Sequence, residues 1–459
     1  MQALSIPLTA IFRLPVLLFW RVTSAALGGR SVTVKDLLKP RSVLVVLGSG
    51  GVGKTTIAAA LGIAAATARL RTAVITVDPA RRLREALGLP RLGGKPTRID
   101  ARRLRAAGLD PALKLSAMML DVKGEWDAMV TAHVTDPAVR RRILDNAFYQ
   151  SLSTRFAGSD AYAALEALHD LHETGKFDLE VVDTPPAAHA FEFVQTPARL
   201  IRLLDSQAAR WLIKPAGQSA SLALRLAARI TSYVARELER FAGGGTLSSI
   251  ADFFADAAGA AERITARMQT VAALLRSPAV RFVLVTTAEP DRLRQARQLI
   301  DKMESEGLHL GAVVINRFLD ETIYHGFTHD HALDDIPRLR AALDVDDAGD
   351  AGVAETLTYL ESYRARAEED IRRVKRFVDG LPARVKIALA PEIRPGTPSL
   401  AALARLANFL ITPQAIVERP ARGGNAATPP KARAQLKSGR RAEKKSETKS
   451  DGGVGRMPE

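Results

Sequence analysis

Short apolar runs rich in β-branched residues alternate, through the middle of the chain, with longer stretches of helical periodicity. This alternation predicts an α/β fold, a doubly wound and mostly parallel sheet with helices on its faces. Most runs end at a polar motif, and ligands of such sheets bind beyond the carboxyl ends of the strands. We therefore expect the polar motifs to converge on one edge. The predicted strands are 43–47, 73–77, 179–182, 282–286, 312–315 and 385–389.

A segment at about 195–278 lacks strand patterns and predicts a helical insertion subdomain. Apolar residues recur at helical spacing along 222–241 with arginines on the opposite side, and a second helix follows the glycines at 243–245. We interpret both apolar faces as ordinary core faces, and a lid over an apolar groove is the alternative. The face of the second helix consists of Ile250, Phe253, Ala257, Ile264, Met268 and Val271.

The two ends of the chain differ from its body in composition. Residues 1–41 form an apolar and basic N-terminal extension, in which no uncharged run reaches the ~20 residues of a membrane span. Because the first charge falls in the middle of the apolar stretch, a signal peptide is not expected. An interfacial amphipathic anchor and a start site farther downstream both stay open as interpretations. Residues 419–459 lack apolar periodicity and predict a disordered basic tail.

Charge and cysteine content narrow the classes of function. The chain of 459 residues has a net charge of +15, but 1–41 and 419–459 carry +5 and +7 of it, so that the body is near neutral. Such a body lacks the basic surface of a domain that tracks phosphate backbones, and no specific nucleic acid is expected as a partner. The chain contains no cysteine, which excludes disulfides, cysteine nucleophiles and thiolate sites for zinc.

The strongest motif is a phosphate-binding loop between the first predicted strand and an alanine-rich helix. Its sequence GSGGVGKT fits the pattern G-x-x-x-x-G-K-T. The glycines allow backbone amides to face phosphates, and the helix N-terminus adds its positive dipole. Lys54 is expected to neutralise the β and γ oxygens, and Thr55 to offer its hydroxyl to Mg²⁺. The loop residues expected to bind the nucleotide are Gly48, Ser49, Gly50, Gly51, Val52, Gly53, Lys54, Thr55 and Thr56.

Two aspartates that end apolar strands complete the predicted site. Phosphoryl transfer needs a carboxylate near the metal and a group that orients the attacking water. Asp183 is expected beside the metal and Asp78 beside the water, with Lys54 as the third catalytic residue. An aspartate after a strand often only caps the next helix, so this prediction depends on the order of the three motifs along the chain.

Four segments together, GSGGVGKTT, TVDPARRL, EVVDTPPAAHAFEF and VVINRF, resemble the arsenite-pump and tail-anchored-protein-targeting ATPases, in the deviant Walker A branch of P-loop proteins. The likeness covers about 42–410 and is greatest to the single-P-loop bacterial members. It implies a P-loop ATPase domain at 42–418, with ATP and Mg²⁺ as cofactors. It assigns to Asp78 and Asp183 the same two roles that the motifs indicate.

The resemblance also implies base contacts and partners. It makes Asn316 the reader of the adenine, with Arg317 beside it and Pro391 in the loop that flanks the base. A loop-capping amide is the alternative for Asn316. The partners implied are a second copy of the chain and a hydrophobic or membrane-protein client. The implied location is the cytoplasm, with peripheral attachment at the inner face of the membrane as a further possibility.

The chain departs from the family pattern in three respects. Ser49 stands where the family usually has a lysine that reaches a phosphate across a dimer interface, and Arg81 or Arg82 is a hypothetical replacement. Without cysteine there is no thiolate to capture arsenite, so arsenite is not expected as a substrate. Only one P-loop is present, so two sites require a homodimer.

These observations predict an Mg²⁺-dependent ATPase whose nucleotide state switches a homodimer. One alternative is a nucleotide-gated binding or targeting factor for a hydrophobic client, in which hydrolysis is a slow timer. The other is a partition-type ATPase that uses the basic tail on DNA or on a membrane. Turnover with and without each partner distinguishes the three.

Overall fold

The computed structural model describes eight stretches of the chain. Asp78, Arg81, the predicted helix at 222–241 and both chain ends lie outside them. All described residues belong to the first of two units, 1–417 and 418–459. The predicted limits of the ATPase domain, its insertion and the tail stay predictions. The stretches are 33–77, 82–155, 159–184, 195–198, 201–202, 247–318, 350–392 and 399–412.

Within the described residues, the sheet has eight strands in the order β3-β4-β2-β5-β1-β6-β7-β8. Every neighbouring pair is parallel except β3 and β4. This arrangement confirms the predicted doubly wound, mostly parallel α/β fold. The strands are β1 Ser42–Gly48, β2 Thr72–Thr76, β3 Thr97–Arg98, β4 Leu115–Met119, β5 Leu179–Asp183, β6 Val280–Thr286, β7 Leu310–Phe318 and β8 Lys386–Pro391.

Helices cover both faces of the sheet. On one face α1 packs against α12 and β5, and on the other α7, α9, α10 and α11 contact the central strands. The described helices are α1 Lys54–Thr67, α2 Arg82–Ala86, α3 Ala101–Ala106, α4 Val122–His133, α5 Pro137–Asp145, α6 Ala147–Arg155, α7 Ser159–Thr174, α8 Leu247–Ala257, α9 Ala261–Arg276, α10 Pro290–Ser305, α11 Asp350–Asp379 and α12 Leu400–Ile411.

The central strands are buried on both faces, which explains their continuous apolar runs. In β1, Val43 and Val45 point into one core cluster, whereas Leu44 and Val46 point into the other. None of the described helices is both long enough and apolar enough to cross a bilayer.

The second predicted helix of the insertion is α8 together with α9. Its apolar face packs into the core: Ile250, Met268 and Val271 are buried, and Phe253 and Ile264 are partly buried against the same cluster. This confirms the interpretation of an ordinary core face for α8 and α9. An apolar groove cannot be lined by this face.

The packed unit begins upstream of β1. Val34 and Leu37 are buried, and the amide of Val34 donates to the carbonyl oxygen of Leu410 over 2.9 Å. Asp36 pairs with Lys386, the first residue of β8, at 2.8 Å. Because Lys386 begins its strand, these contacts lie at the amino edge of the sheet, opposite the strand ends that carry the polar motifs.

Candidate active site

The candidate site lies where β1 ends and α1 begins. Strand β1 is central, with β5 on one side and β6 on the other, and the helices that follow β1 and β6 lie on opposite faces of the sheet. A strand in this position ends at the crevice in which open α/β sheets bind ligands. The motif residues 48–56 form this connection.

Three glycines give the loop its shape. Gly51 and Gly53 have φ of +80° and +94°, a region that residues with a Cβ rarely adopt. Gly48 packs so closely on β6 that a Cβ there would lie 2.3 Å from the carbonyl oxygen of Val285. Gly53 is also the N-cap of α1, where no side chain caps the first amides. The loop therefore presents backbone amides and a helix N-terminus, a combination that suits an anion.

Lys54 is the first residue of α1, and its long side chain folds back over the loop. Only 8% of it is exposed. Its Nζ donates to the carbonyl oxygens of Gly48 at 3.1 Å and Ser49 at 3.3 Å. The ammonium group thus lies within the loop that the motif predicts to surround phosphates, and these two carbonyl oxygens are acceptors that a phosphate group can replace.

Asp183 ends β5 beside the loop. It is the register partner of Val46 in β1, two residues before Gly48. Its side chain is 1% exposed, and Oδ2 accepts a hydrogen bond from the Thr76 hydroxyl at 3.0 Å. The next residue, Thr184, donates its hydroxyl to the carbonyl oxygen of Val46 at 2.8 Å. The structure therefore places Asp183 beside the P-loop strand, and its role at the metal stays a prediction.

Asn316, near the end of β7, contacts the loop from the other side. Its Nδ2 donates to the carbonyl oxygen of Val52 at 2.7 Å, and the side chain is buried. Arg317 is exposed with φ of +54°, and Pro391 ends β8 opposite Phe318. The three residues that the resemblance assigns to the base thus lie on the two strands beyond β6. The contact with Val52 has no signal in the sequence, because the two residues are far apart along the chain.

A cavity of about 410 Å³ borders the loop at Ser49 and Gly50. Two basic residues, Arg292 and Lys302, line it together with Ser49, the position at which the family usually has lysine. Sequence reasoning did not select them, because a basic helix face is ordinarily solvated. The remaining lining residues are Leu284, Val285, Thr286, Gln295, Ala296, Gln298 and Leu299.

The chemistry of the loop fits a magnesium ion held jointly with phosphates. Among the described residues, no group of three or more His, Asp or Glu could hold a metal alone. Magnesium bound to phosphates needs only one or two protein ligands beside water. Thr55, in the first turn of α1, and Asp183, on the adjacent strand, supply the hydroxyl and carboxylate oxygens that such an ion prefers.

The segment that follows β2 and carries Asp78, Arg81 and Arg82 is only partly described. Strand β2 ends at Thr76, and Asp78 follows outside the described residues, so its role at the water stays a prediction. Arg82 begins α2 and is exposed. Its proposed contact with a phosphate, and that of Arg81, also stay predictions.

Comparison with known proteins identifies similar chains. A family profile described as "Anion-transporting ATPase" matches residues 41–332. The chain is 23% identical over 290 residues to "ATPase GET3" of Malassezia globosa, covering 62% of this chain and 76% of that protein. It is 22% identical over 292 residues to a "Putative arsenical pump-driving ATPase" of Prosthecochloris vibrioformis, covering 62% and 63%. An uncharacterized protein of Streptomyces coelicolor is 32% identical over 216 residues, covering 45% of this chain and 51% of that protein.

Proposed function

The chain belongs to the anion-transporting ATPase family, and on that premise we propose that it is an Mg²⁺-dependent enzyme that hydrolyses ATP to ADP and phosphate. Family membership implies ATPase chemistry in general terms. The observation that supports the specific proposal is that buried Lys54 bonds to the carbonyl oxygen of Gly48 at the end of β1, while buried Asp183 ends the neighbouring strand β5. A lysine, a helix N-terminus and a carboxylate at one strand edge are the parts that phosphoryl transfer requires.

In this proposal each residue has one task. The amides of the loop surround the phosphates, and Lys54 exchanges its carbonyl partners for β and γ oxygens. Thr55 and Asp183 hold the Mg²⁺ ion, which when bound neutralises charge that develops on the phosphate oxygens. Asp78 orients the attacking water. Asn316 and Pro391 border the base.

The output we propose is a change of conformation in a homodimer. The segments that follow Asp78 and Asp183 are ordered by the γ-phosphate and released after hydrolysis, a common bistable device. A second copy is needed because this chain carries a single P-loop. Serine at position 49 leaves out the family's lysine, and Arg81 and Arg82 are the candidates for a charge that reaches a phosphate across the interface.

A targeting factor for a hydrophobic client is the alternative of a different class. The apolar face of α8 and α9 is buried and leaves no surface for a client. The other apolar face predicted in the insertion, at 222–241, is the candidate client surface. Arsenite is not proposed as a substrate, since the chain has no thiolate to bind it. The near-neutral body also argues against a partition ATPase that depends on DNA.

We also propose that both chain ends act at a membrane surface. Residues 1–32 and 413–459 join the described part at one place, where Val34 bonds to Leu410. Apolar residues in the first and basic residues in the second are the two signals that together attach a protein to anionic lipid.

ATP hydrolysis by the full chain tests the proposal. We expect Lys54→Ala to lower kcat by at least about a hundredfold, because the loop loses its phosphate-binding cation. The control is Lys386→Ala, which removes an ion-paired lysine at the opposite edge and should leave turnover unchanged. Wild-type turnover in Lys54→Ala would refute the assignment. Stimulation by a hydrophobic helical peptide, by DNA or by anionic vesicles distinguishes the alternative outputs.

A further inference from the structure

Asp183 is almost completely enclosed, so its neighbours decide how the carboxylate is oriented. Burial of a carboxylate is unfavourable unless hydrogen bonds replace its water. One such bond comes from the Thr76 hydroxyl, which donates to Oδ2 at 3.0 Å. Thr76 lies on β2, one strand away, and is the register partner of Asp183. The contact is therefore built into the pairing of two central strands.

Threonine suits this task for a physical reason. Its β-branched side chain has few χ1 rotamers in a strand, so the backbone of β2 determines where the hydroxyl points. Thr76 is 2% exposed, and the bond that its hydroxyl makes with Asp183 is buried. A hydrogen bond to one carboxylate oxygen restricts rotation of the group. That restriction sets the direction in which the other oxygen is presented.

Other buried threonines at the strands bond differently. The hydroxyl of Thr72, at the start of the same strand, donates to the backbone oxygen of Leu70 at 3.0 Å. The hydroxyl of Thr184 donates to the backbone oxygen of Val46 at 2.8 Å. Both bonds satisfy a hydroxyl locally, as is usual for side-chain hydrogen bonds. Thr76 instead donates to the carboxylate that the proposed function places at the metal.

We propose that Thr76 is a positioning residue that orients the Asp183 carboxylate toward the Mg²⁺ ion. The inference rests on the proposed function of Asp183 and gives a role to Thr76, the first residue of TVDPARRL, to which neither the motifs nor the family resemblance assigned one. It predicts that loss of the hydroxyl weakens the response to Mg²⁺, while binding of nucleotide without metal is retained. A purely structural threonine would instead alter stability alone.

The test compares Thr76→Val, Thr76→Ser and the matched control Thr72→Val in the full chain. Valine keeps the shape and removes the hydroxyl, whereas serine keeps the hydroxyl. We expect Thr76→Val to raise the Mg²⁺ concentration for half-maximal ATPase activity about tenfold, since hydrogen bonds to charged groups are the stronger ones. Thr76→Ser and Thr72→Val should stay within about twofold of wild type. Binding of a fluorescent ATP analogue in EDTA should be the same in all four proteins.

A second readout separates this inference from the proposed function. Mg²⁺ should increase the affinity of the protein for the fluorescent analogue, and this measurement needs no turnover. It therefore reports on metal coordination even if the wild type does not hydrolyse ATP. In that case the ATPase proposal fails, and a Thr76→Val titration curve shifted about tenfold still supports the inference. An unshifted curve in Thr76→Val, or an equal shift in Thr72→Val, would overturn it. In an Asp183→Asn background Thr76→Val should add less than a twofold effect, and full additivity would also overturn it.

Discussion

Replacement of Gly53 by alanine tests the loop geometry on which the site depends. A Cβ built on Gly53 lies 2.2 Å from Nδ2 of Asn316, and the residue has φ of +94°. A left-handed backbone with a Cβ costs about 1–2 kcal/mol. Asn316 must also swing away and lose its 2.7 Å bond to Val52, which leaves a buried group unpaired at about 1–3 kcal/mol. Together the two effects predict a loss of about 2–5 kcal/mol.

This loss falls on the loop to which the proposed function assigns the nucleotide. At about 1.4 kcal/mol per factor of ten, affinity for ATP should drop by about 30-fold or more. Gly51→Ala is the matched control, because Gly51 has φ of +80° but no atom within 4 Å of its Cβ position. The variant Gly51→Ala introduces the same backbone strain but does not displace Asn316. Its expected effect is therefore about tenfold.

The assay is binding of a fluorescent ATP analogue, with thermal unfolding measured in parallel. The cycle consists of Gly53→Ala, Asn316→Ala and their combination. If displacement of Asn316 is part of the loss, the combined variant should be weakened by less than the sum of the two single effects. Equal affinities for Gly53→Ala and Gly51→Ala, together with strict additivity in the cycle, would refute the reasoning.

Two further predictions concern the charged groups between α4, α7 and α9. Burial, and the negative charges of Asp170, Glu166 and Asp121, raise the pKa of Glu125 from 4.5 to about 7. Between pH 4.5 and 7 the native state binds one more proton than the unfolded state, so the free energy of unfolding falls as pH rises through this range. Glu125→Gln removes this effect. Denaturant unfolding should therefore show the variant about 1–2 kcal/mol more stable than wild type at pH 8 and equal to it near pH 4. Arg267 donates to Glu166 at 2.8 Å and also contacts Asp170. Arg267→Met should therefore lower the free energy of unfolding at pH 7 by about 3 kcal/mol, and an unchanged midpoint would contradict this.

The sequence predicts the sheet best where its strands are buried on both faces. Strands β1 and β5 consist of continuous apolar runs, and their predicted limits agree with the structure to within one residue. β7 extends from Leu310 to Phe318, beyond the predicted 312–315, because a backbone ladder can continue through polar residues such as Asn316. β3 has two exposed residues and no apolar pattern, so nothing in the sequence marks it.

In the site, too, features encoded by consecutive residues can be predicted from the sequence, whereas contacts between distant residues cannot. The P-loop is predictable because consecutive residues encode it, including glycines that the structure holds at positive φ. The bond between Asn316 and Val52 joins residues 264 positions apart. That between Thr76 and Asp183 spans 107 positions. Such pairs depend on strand order, and a motif in a single sequence does not specify the neighbour of each strand.

Five adjacent strands hold the loop through contacts at one edge of the sheet. On one side β2 bonds to β5 through Thr76, and Thr184, the residue after β5, bonds to β1. On the other side Gly48 packs on the backbone of β6, and Asn316 of β7 bonds to Val52. Packed interiors shift between discrete arrangements more readily than they deform continuously. If the loop changes when a nucleotide binds, we expect the change to reach Asp183 through β1 and Asn316 through Val52, so that both flanks of the sheet respond to the same event.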